Sequence, residues 1–278
     1  MRQLYAKLSA DSFKTIALLT VLVTIMYGSE EWPITSVGAV LLTLAVLKRD
    51  TLTSHLFWLF MSALTLFTFG LFWYSEGDGF VLQIYWCIAL SLALLTHERE
   101  KTLAEMARLL IGAVFLLTVI SKLISPDFIS GAFFEVFLVR DLGRIGLVSV
   151  LFTNLSVTDI ASNIEVAKQL PEQVVKLTLA PGVRQLATLL TALTLIVESA
   201  VAAAFLLNFP ARLRDALLTL FLAGTYLIAP VVVFGTTLAI MGFAQADSPK
   251  SKLIYLSFVL FIQLTPLRTY ISLLILSP

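Results

Sequence analysis

Cysteine is almost absent from this chain of 278 residues: Cys87 stands alone. A lone thiol excludes an internal disulfide and any metal cage built from several thiolates. Histidine is nearly as scarce. His55 and His97 leave little for metal coordination, and no metal site is expected. Charge is thin as well. Only 13% of the residues are charged and the formal net charge is +1, against about a quarter charged in a soluble domain. Nothing suggests a nucleic-acid partner. No internal repeat, low-complexity tract, P-loop, haem-attachment motif, zinc spacing or nucleophile elbow appears. What the chain has in excess is apolar side chains: 59% of residues, with mean hydropathy +0.95. That composition fits an all-α bundle solvated by lipid.

A helix needs about 20 apolar residues to cross the hydrocarbon of a bilayer. Eight runs stand as candidate spans, the second of them short and open to a partly interfacial reading: 12–28, 33–47, 52–74, 79–96, 103–124, 183–208, 214–241 and 252–276. The expected architecture is a polytopic membrane helical bundle of about eight transmembrane helices. It forms a single domain, 1–278, with a long, partly helical outward segment at 125–182. Pro230 in the seventh span and Pro266 in the eighth predict kinks, because proline removes a backbone donor. The start from Met1 shows no small-residue cleavage site, so the first span is expected to be retained.

Lysine and arginine in short loops set orientation. Arg2, Lys7, Lys48, Arg49, Arg99, Lys101, Arg212 and Arg214 fall on one side of such a bundle. Glu30, Glu31, Glu76 and Asp78 fall on the other. The basic side is expected to face the cytoplasm from an inner membrane, with both termini there. Lys250 and Lys252 then lie outside, as the exception. Trp32, Trp58, Trp73 and Trp86, with Tyr27, Tyr74 and Tyr85, fall mostly near span ends and read as an aromatic belt.

The segment 125–182 is too polar to span and too apolar for a simple linker. Phe128, Phe133, Phe134, Val136 and Phe137 predict an interfacial or re-entrant helix. Ser162 and Glu165 have capping-box spacing. Ile160, Ile164, Ala167 and Leu170 recur at helical spacing, so a short amphipathic helix is expected before Pro171. A long ordered excursion suits a binding lid or partner surface, and equally a structural cap on the bundle.

Charges inside spans are costly, roughly 2.5–3.5 kcal/mol each on insertion scales. Lys122 ends the run Leu116-Leu117-Thr118-Val119-Ile120-Ser121. Two readings stand: a snorkelling anchor, or a desolvated lysine that serves as a base. Asp127 or Glu135 would instead hold it charged. Glu198 is the deepest carboxylate, about 15 residues and roughly 22 Å into the sixth span. Arg108 lies at a comparable distance from the basic face, so an Arg108–Glu198 structural ion pair is expected, with Glu105 near it. Arg214 and Asp215 are expected at the interface. Arg268 is expected to satisfy carbonyls freed by Pro266.

The run Phe115 to Leu123, with Lys122-Leu123, then Asp127-Phe128-Ile129-Ser130-Gly131, resembles the membrane domain shared by vitamin K-dependent γ-carboxylase and bacterial relatives, the horizontally transferred transmembrane (HTTM) group. Phe128 takes the aromatic place and Gly131 the glycine, with one extra residue between lysine and glycine. The resemblance covers about 20 residues. It implies that Lys122 is the catalytic base toward a reduced quinone or vitamin K-like lipid. Asp127, Phe128, Gly131, Glu135 and Arg140 would be the ligand-binding residues. The carboxylase's large β-rich domain has no counterpart after the eighth span, so peptide carboxylation is not expected. Ser125-Pro126-Asp127-Phe128 also resembles, more loosely, DoxX-like and MauE-like proteins, which accompany thiol or quinone redox systems. The expected function is therefore binding of a quinone or lipidic ligand near Lys122, for peptide maturation or redox-linked modification. The alternative is a non-catalytic subunit that docks a protein or peptide on its extracytoplasmic side. A transporter is disfavoured, because no pair of matched broken helices is visible.

Overall fold

The computed structural model describes residues 12–27, 40, 48–71, 79–140, 144–153, 155–168, 180–228 and 231–276. Among these residues the chain is all-helical, with no strand. The helices are α1 (Ser12–Tyr27), α2 (His55–Leu71), α3 (Gly79–Ala93), α4 (Arg99–Ile124), α5 (Pro126–Ile129), α6 (Ala132–Arg140), α7 (Arg144–Thr153), α8 (Val157–Lys168), α9 (Pro181–Leu206), α10 (Ala211–Ile228), α11 (Val232–Gln245) and α12 (Pro249–Leu276). A 3-10 turn, Arg49–Thr53, precedes α2.

Side-chain hydrogen bonds fix the directions. Ser91 Oγ donates to the His55 carbonyl at 3.0 Å and Ser62 Oγ to that of Ile84 at 3.4 Å, so α2 and α3 are antiparallel. Trp86 Nε1 donates to Thr20 Oγ1 at 3.0 Å, and Gln83 reaches Thr24, which lays α3 antiparallel on α1. The second candidate span, 33–47, lies outside the described residues except for Val40.

α4 carries its buried residues at helical spacing: Leu103, Ala107, Ile111, Phe115 and Val119. Its other face is also apolar but exposed, through Leu109, Leu116, Leu117 and Ile120. α9 packs on it antiparallel and offset along its axis. Leu206, the last residue of α9, meets Gly112, the middle of α4. A Cβ on Gly112 would lie 2.7 Å from Leu206 Cγ, so only glycine permits this approach. The offset leaves the first half of α9 beyond the end of α4, where α5–α8 cover it.

Two apolar cores result. The larger includes Phe13, Trp58, Trp86, Phe115, Phe205 and Tyr255. The smaller joins Phe128, Phe134, Leu138, Leu155 and Ile160 to Val183, Ala187 and Leu190 of α9.

Local chemistry explains the joints. Ser125 ends α4 in an extended conformation (φ −89°, ψ 112°), as a residue before proline prefers. Its side chain caps α5 by accepting from the Phe128 amide at 3.4 Å, and Pro126 opens that helix. Gly131, at φ 83°, turns the chain from α5 into α6. α8 starts at Val157, earlier than the expected cap. The reciprocal box is Ser156 with Asp159: Asp159 N donates to Ser156 Oγ at 3.1 Å and Ser156 N to Asp159 Oδ2 at 3.0 Å. Ser162 is inside the helix, so its spacing to Glu165 is coincidental. The Ser156 hydrogen bonds hold the Asp159 carboxyl below its ordinary range.

The seventh candidate span, 214–241, is not one helix. It is α10 and α11 folded back on each other: Gln245 Nε2 donates to Asp215 Oδ1 at 2.7 Å, while Tyr226 at the far end reaches the Val231 carbonyl. This hairpin overturns the outward placement of Lys250 and Lys252. Lys252 Nζ donates to Ser12 Oγ at 3.4 Å, and Arg99 lies 5.4 Å from the Phe13 ring centroid. Lys250 and Lys252 thus join Arg99, Lys101, Arg212 and Arg214 at one basic end. α12 leaves that end and runs antiparallel to α11, with Gln263 reaching Thr236 at 3.3 Å. α1 begins at that end and α12 runs away from it; the termini themselves, expected on one side, lie outside the described residues.

The aromatic belt also fails at its described tryptophans. Trp58 and Trp86 are fully buried. Their indole donors are met inside the core, by the Leu52 carbonyl and Thr20, which is what buried tryptophan requires. Tyr85 is exposed, while Trp32, Trp73 and Tyr74 lie outside the described residues. Arg214 and Asp215, expected at the interface, are both buried.

Candidate functional site

Lys122 stands in the last turn of α4, where the offset of α9 brings Glu198 alongside. Lys122 Nζ donates to Glu198 Oε1. The lysine side chain keeps 25% of its surface exposed and the glutamate side chain only 6%. The Phe128 ring lies 5.3 Å from the ammonium, within cation–π range. Phe128 is held there by the smaller core and by edge-on packing with Phe134, 5.7 Å between centroids.

This replaces the expected Arg108–Glu198 pair. Arg108 is just over half the length of α4 away from Lys122. It donates Nε to Glu105 Oε2 at 2.9 Å, Nη2 to Glu105 Oε1, and Nη1 to the Phe205 carbonyl. Counting depth from the basic face places Arg108 and Glu198 level, but α9 ends beside Gly112, well short of the level at which α4 starts. The involvement of Glu105 was legible, since it precedes Arg108 by three residues on one helix face.

The other expected site residues separate into two groups. Phe128 and the Gly131 turn do adjoin Lys122 and α9. Asp127 is exposed. Glu135 faces Arg184 of α9 at 3.8 Å, not Lys122. The side chains of Arg140 and Arg268 lie outside the described residues. Sequence reasoning missed Glu198 as the partner of Lys122 and Arg184 as that of Glu135. A signal for the first existed: Lys122 and Glu198 are opposite charges on the two described helices long and apolar enough to cross a membrane, and buried charges are paired.

One atom of the pair is left over. Glu198 Oε2 is buried and has no hydrogen-bond partner. Buried polar atoms nearly always have one. The site therefore presents an unmet carboxylate oxygen, a partly exposed ammonium and an aromatic face within one side chain's reach. That set can accept from a hydroxyl, donate to a carbonyl and pack a ring. Among the described residues, no three of His, Cys, Asp and Glu are grouped to hold a metal ion.

No family model matches the chain, and no curated protein or solved structure matches it.

Proposed function

We propose that this chain is a multi-pass membrane protein of the HTTM or carboxylase-like class, which holds a quinone or similar lipidic ligand beside the Lys122–Glu198 pair. Two helices, Arg99–Ile124 and Gly182–Leu206, are long and apolar enough to cross a membrane, each with hydropathy 2.1 over its best window. Only 39% of each window is buried, so most of that apolar surface needs a solvent other than water. The gathering of basic residues at one end supports reading that end as cytoplasmic in an inner membrane.

The unmet Glu198 Oε2 carries the ligand reading. In an apolar setting it calls for a hydroxyl donor, and a quinol has one. The ammonium of Lys122 would meet a quinone carbonyl. Catalysis by Lys122 adds one requirement. A lysine that donates to a carboxylate has no free lone pair. It becomes a base only when a Lys122 N–H bond breaks and the proton forms an O–H on Glu198. The neutral amine can then take the ligand's acidic proton, within about 3 Å.

A second reading rests on a different observation. Ile129, Phe133, Val136 and Phe137 expose 38–55% of their surfaces on α5 and α6. That apolar face would suit docking of a protein or peptide partner on the extracytoplasmic side, with Lys122–Glu198 as a structural latch.

Purification in mild detergent, followed by mass spectrometry of co-purifying molecules, separates these. A quinone or lipid held by wild type and lost in Glu198→Gln supports the ligand reading. A protein partner retained equally by both, with no small molecule, supports docking.

A further inference from the structure

The basic end of the bundle carries a second polar cluster. A cleft of about 250 Å³ opens there, lined by Lys101, Glu105, Arg108, Arg214, Gln245 and Asp247. It lies on the order of 20 Å along α4 from Lys122, at 1.5 Å per residue. Much of its polarity is internally matched. Arg108 is taken up by Glu105 and the Phe205 carbonyl. Arg214 Nη1 donates to Asn208 Oδ1 at 2.8 Å. Asp215, behind the cleft, accepts from Gln245 Nε2 at 2.7 Å and from the Tyr255 hydroxyl at 3.0 Å.

Two buried atoms remain without partners: Arg214 Nε, a donor, and Gln245 Oε1, an acceptor. Their residues are 8% and 4% exposed. A ligand that meets both must offer an acceptor and a donor. The rim repeats that division. Lys101, exposed and paired with Glu98 at 2.9 Å, and the buried Arg214 supply positive charge; Glu105 and Asp247 supply negative charge. The cleft is smaller than the roughly 300–1,000 Å³ that encloses drug-sized ligands, so it admits a head group and little more. Beside it Leu207, Phe209 and Leu213 expose 69%, 38% and 44% of their surfaces, a place for alkyl chains.

We propose that this cleft binds a phosphate bearing an adjacent ammonium, as in a phosphoethanolamine head group. Phosphate oxygens accept from Arg214 and Lys101 through charge-assisted bonds. The ammonium donates to Gln245 Oε1 and Asp247. The source is a membrane lipid or free phosphoethanolamine, and the chemistry recognised is the same.

The test is native mass spectrometry of the full-length protein in detergent, titrated with dioleoyl phosphatidylethanolamine, dioleoyl phosphatidylcholine and O-phosphoethanolamine. Phosphatidylethanolamine is expected to bind at least tenfold more tightly than phosphatidylcholine, whose trimethylammonium has no N–H. Arg214→Gln is expected to weaken it tenfold or more. Asp247→Asn, on the exposed rim, is expected to weaken it severalfold with an unchanged melting temperature, which keeps the test open if Arg214→Gln fails to fold. Competition by O-phosphoethanolamine would identify a soluble ligand; none would identify the lipid. Equal binding of the two lipids, no binding of any probe, or undiminished binding in the folded variants would overturn the proposal.

Discussion

Removing either partner of the Lys122–Glu198 pair should cost unequal amounts. Lys122→Met leaves a carboxylate whose side chain is only 6% exposed, with both oxygens unmet. Stranding a buried charge in this way costs roughly 3–5 kcal/mol. Glu198→Gln leaves an ammonium that is 25% exposed on a flexible stem and can turn to solvent. Its loss is closer to that of one charge-assisted hydrogen bond, about 1.5–3 kcal/mol. Replacing both by methionine removes charge and desolvation together, and is expected to be near neutral or stabilising. The assay is thermal unfolding of the detergent-solubilised protein, followed by circular dichroism. At roughly 2–4 °C per kcal/mol, Lys122→Met should lower the midpoint by about 10 °C, Glu198→Gln by about half that, and the double variant by little. Equal, small and additive shifts would refute a buried, coupled pair.

Further outcomes follow from the packing and topology. Gly112→Val pushes a side chain into Leu206 and should destabilise by about 1–3 kcal/mol in the same assay. Ser156→Ala removes the cap of α8 and should cost about 1 kcal/mol. Asp159 should titrate below the ordinary value of about 3.9 when followed by NMR. Because its folded value is depressed, its contribution to stability is full above the unfolded value and is lost as pH falls through the folded one. With Cys87 buried, a cysteine at Lys250 should react with an impermeant maleimide from the same side as one at Lys101; labelling from opposite sides would break the α10–α11 hairpin.

Helix existence was legible from hydropathy, and α4 ends where the fifth candidate span does, because Ser125-Pro126 is a joint with a mechanism. The α10–α11 hairpin was not legible. After Arg214 and Asp215 the run to 241 carries no charge, and Pro230 reads as a kink as readily as a turn. The misplaced Lys250 and Lys252 were the available hint, since one more reversal puts them with the other basic residues. The Lys122–Glu198 pair was hidden by an axial offset between helices, which depends on Gly112 admitting Leu206 and on no local pattern. The buried tryptophans were misread because hydropathy does not reveal that Leu52 and Thr20 supply partners for indole N–H groups.

Photo-crosslinking with an azido-quinone, followed by peptide mapping, tests the central claim most directly. Adducts should concentrate on the end of α4, on α5 and on α9 around Glu198, and should fall sharply in Glu198→Gln. Adducts spread over the lipid-facing surface, or unchanged in that variant, would contradict a ligand site at the Lys122–Glu198 pair.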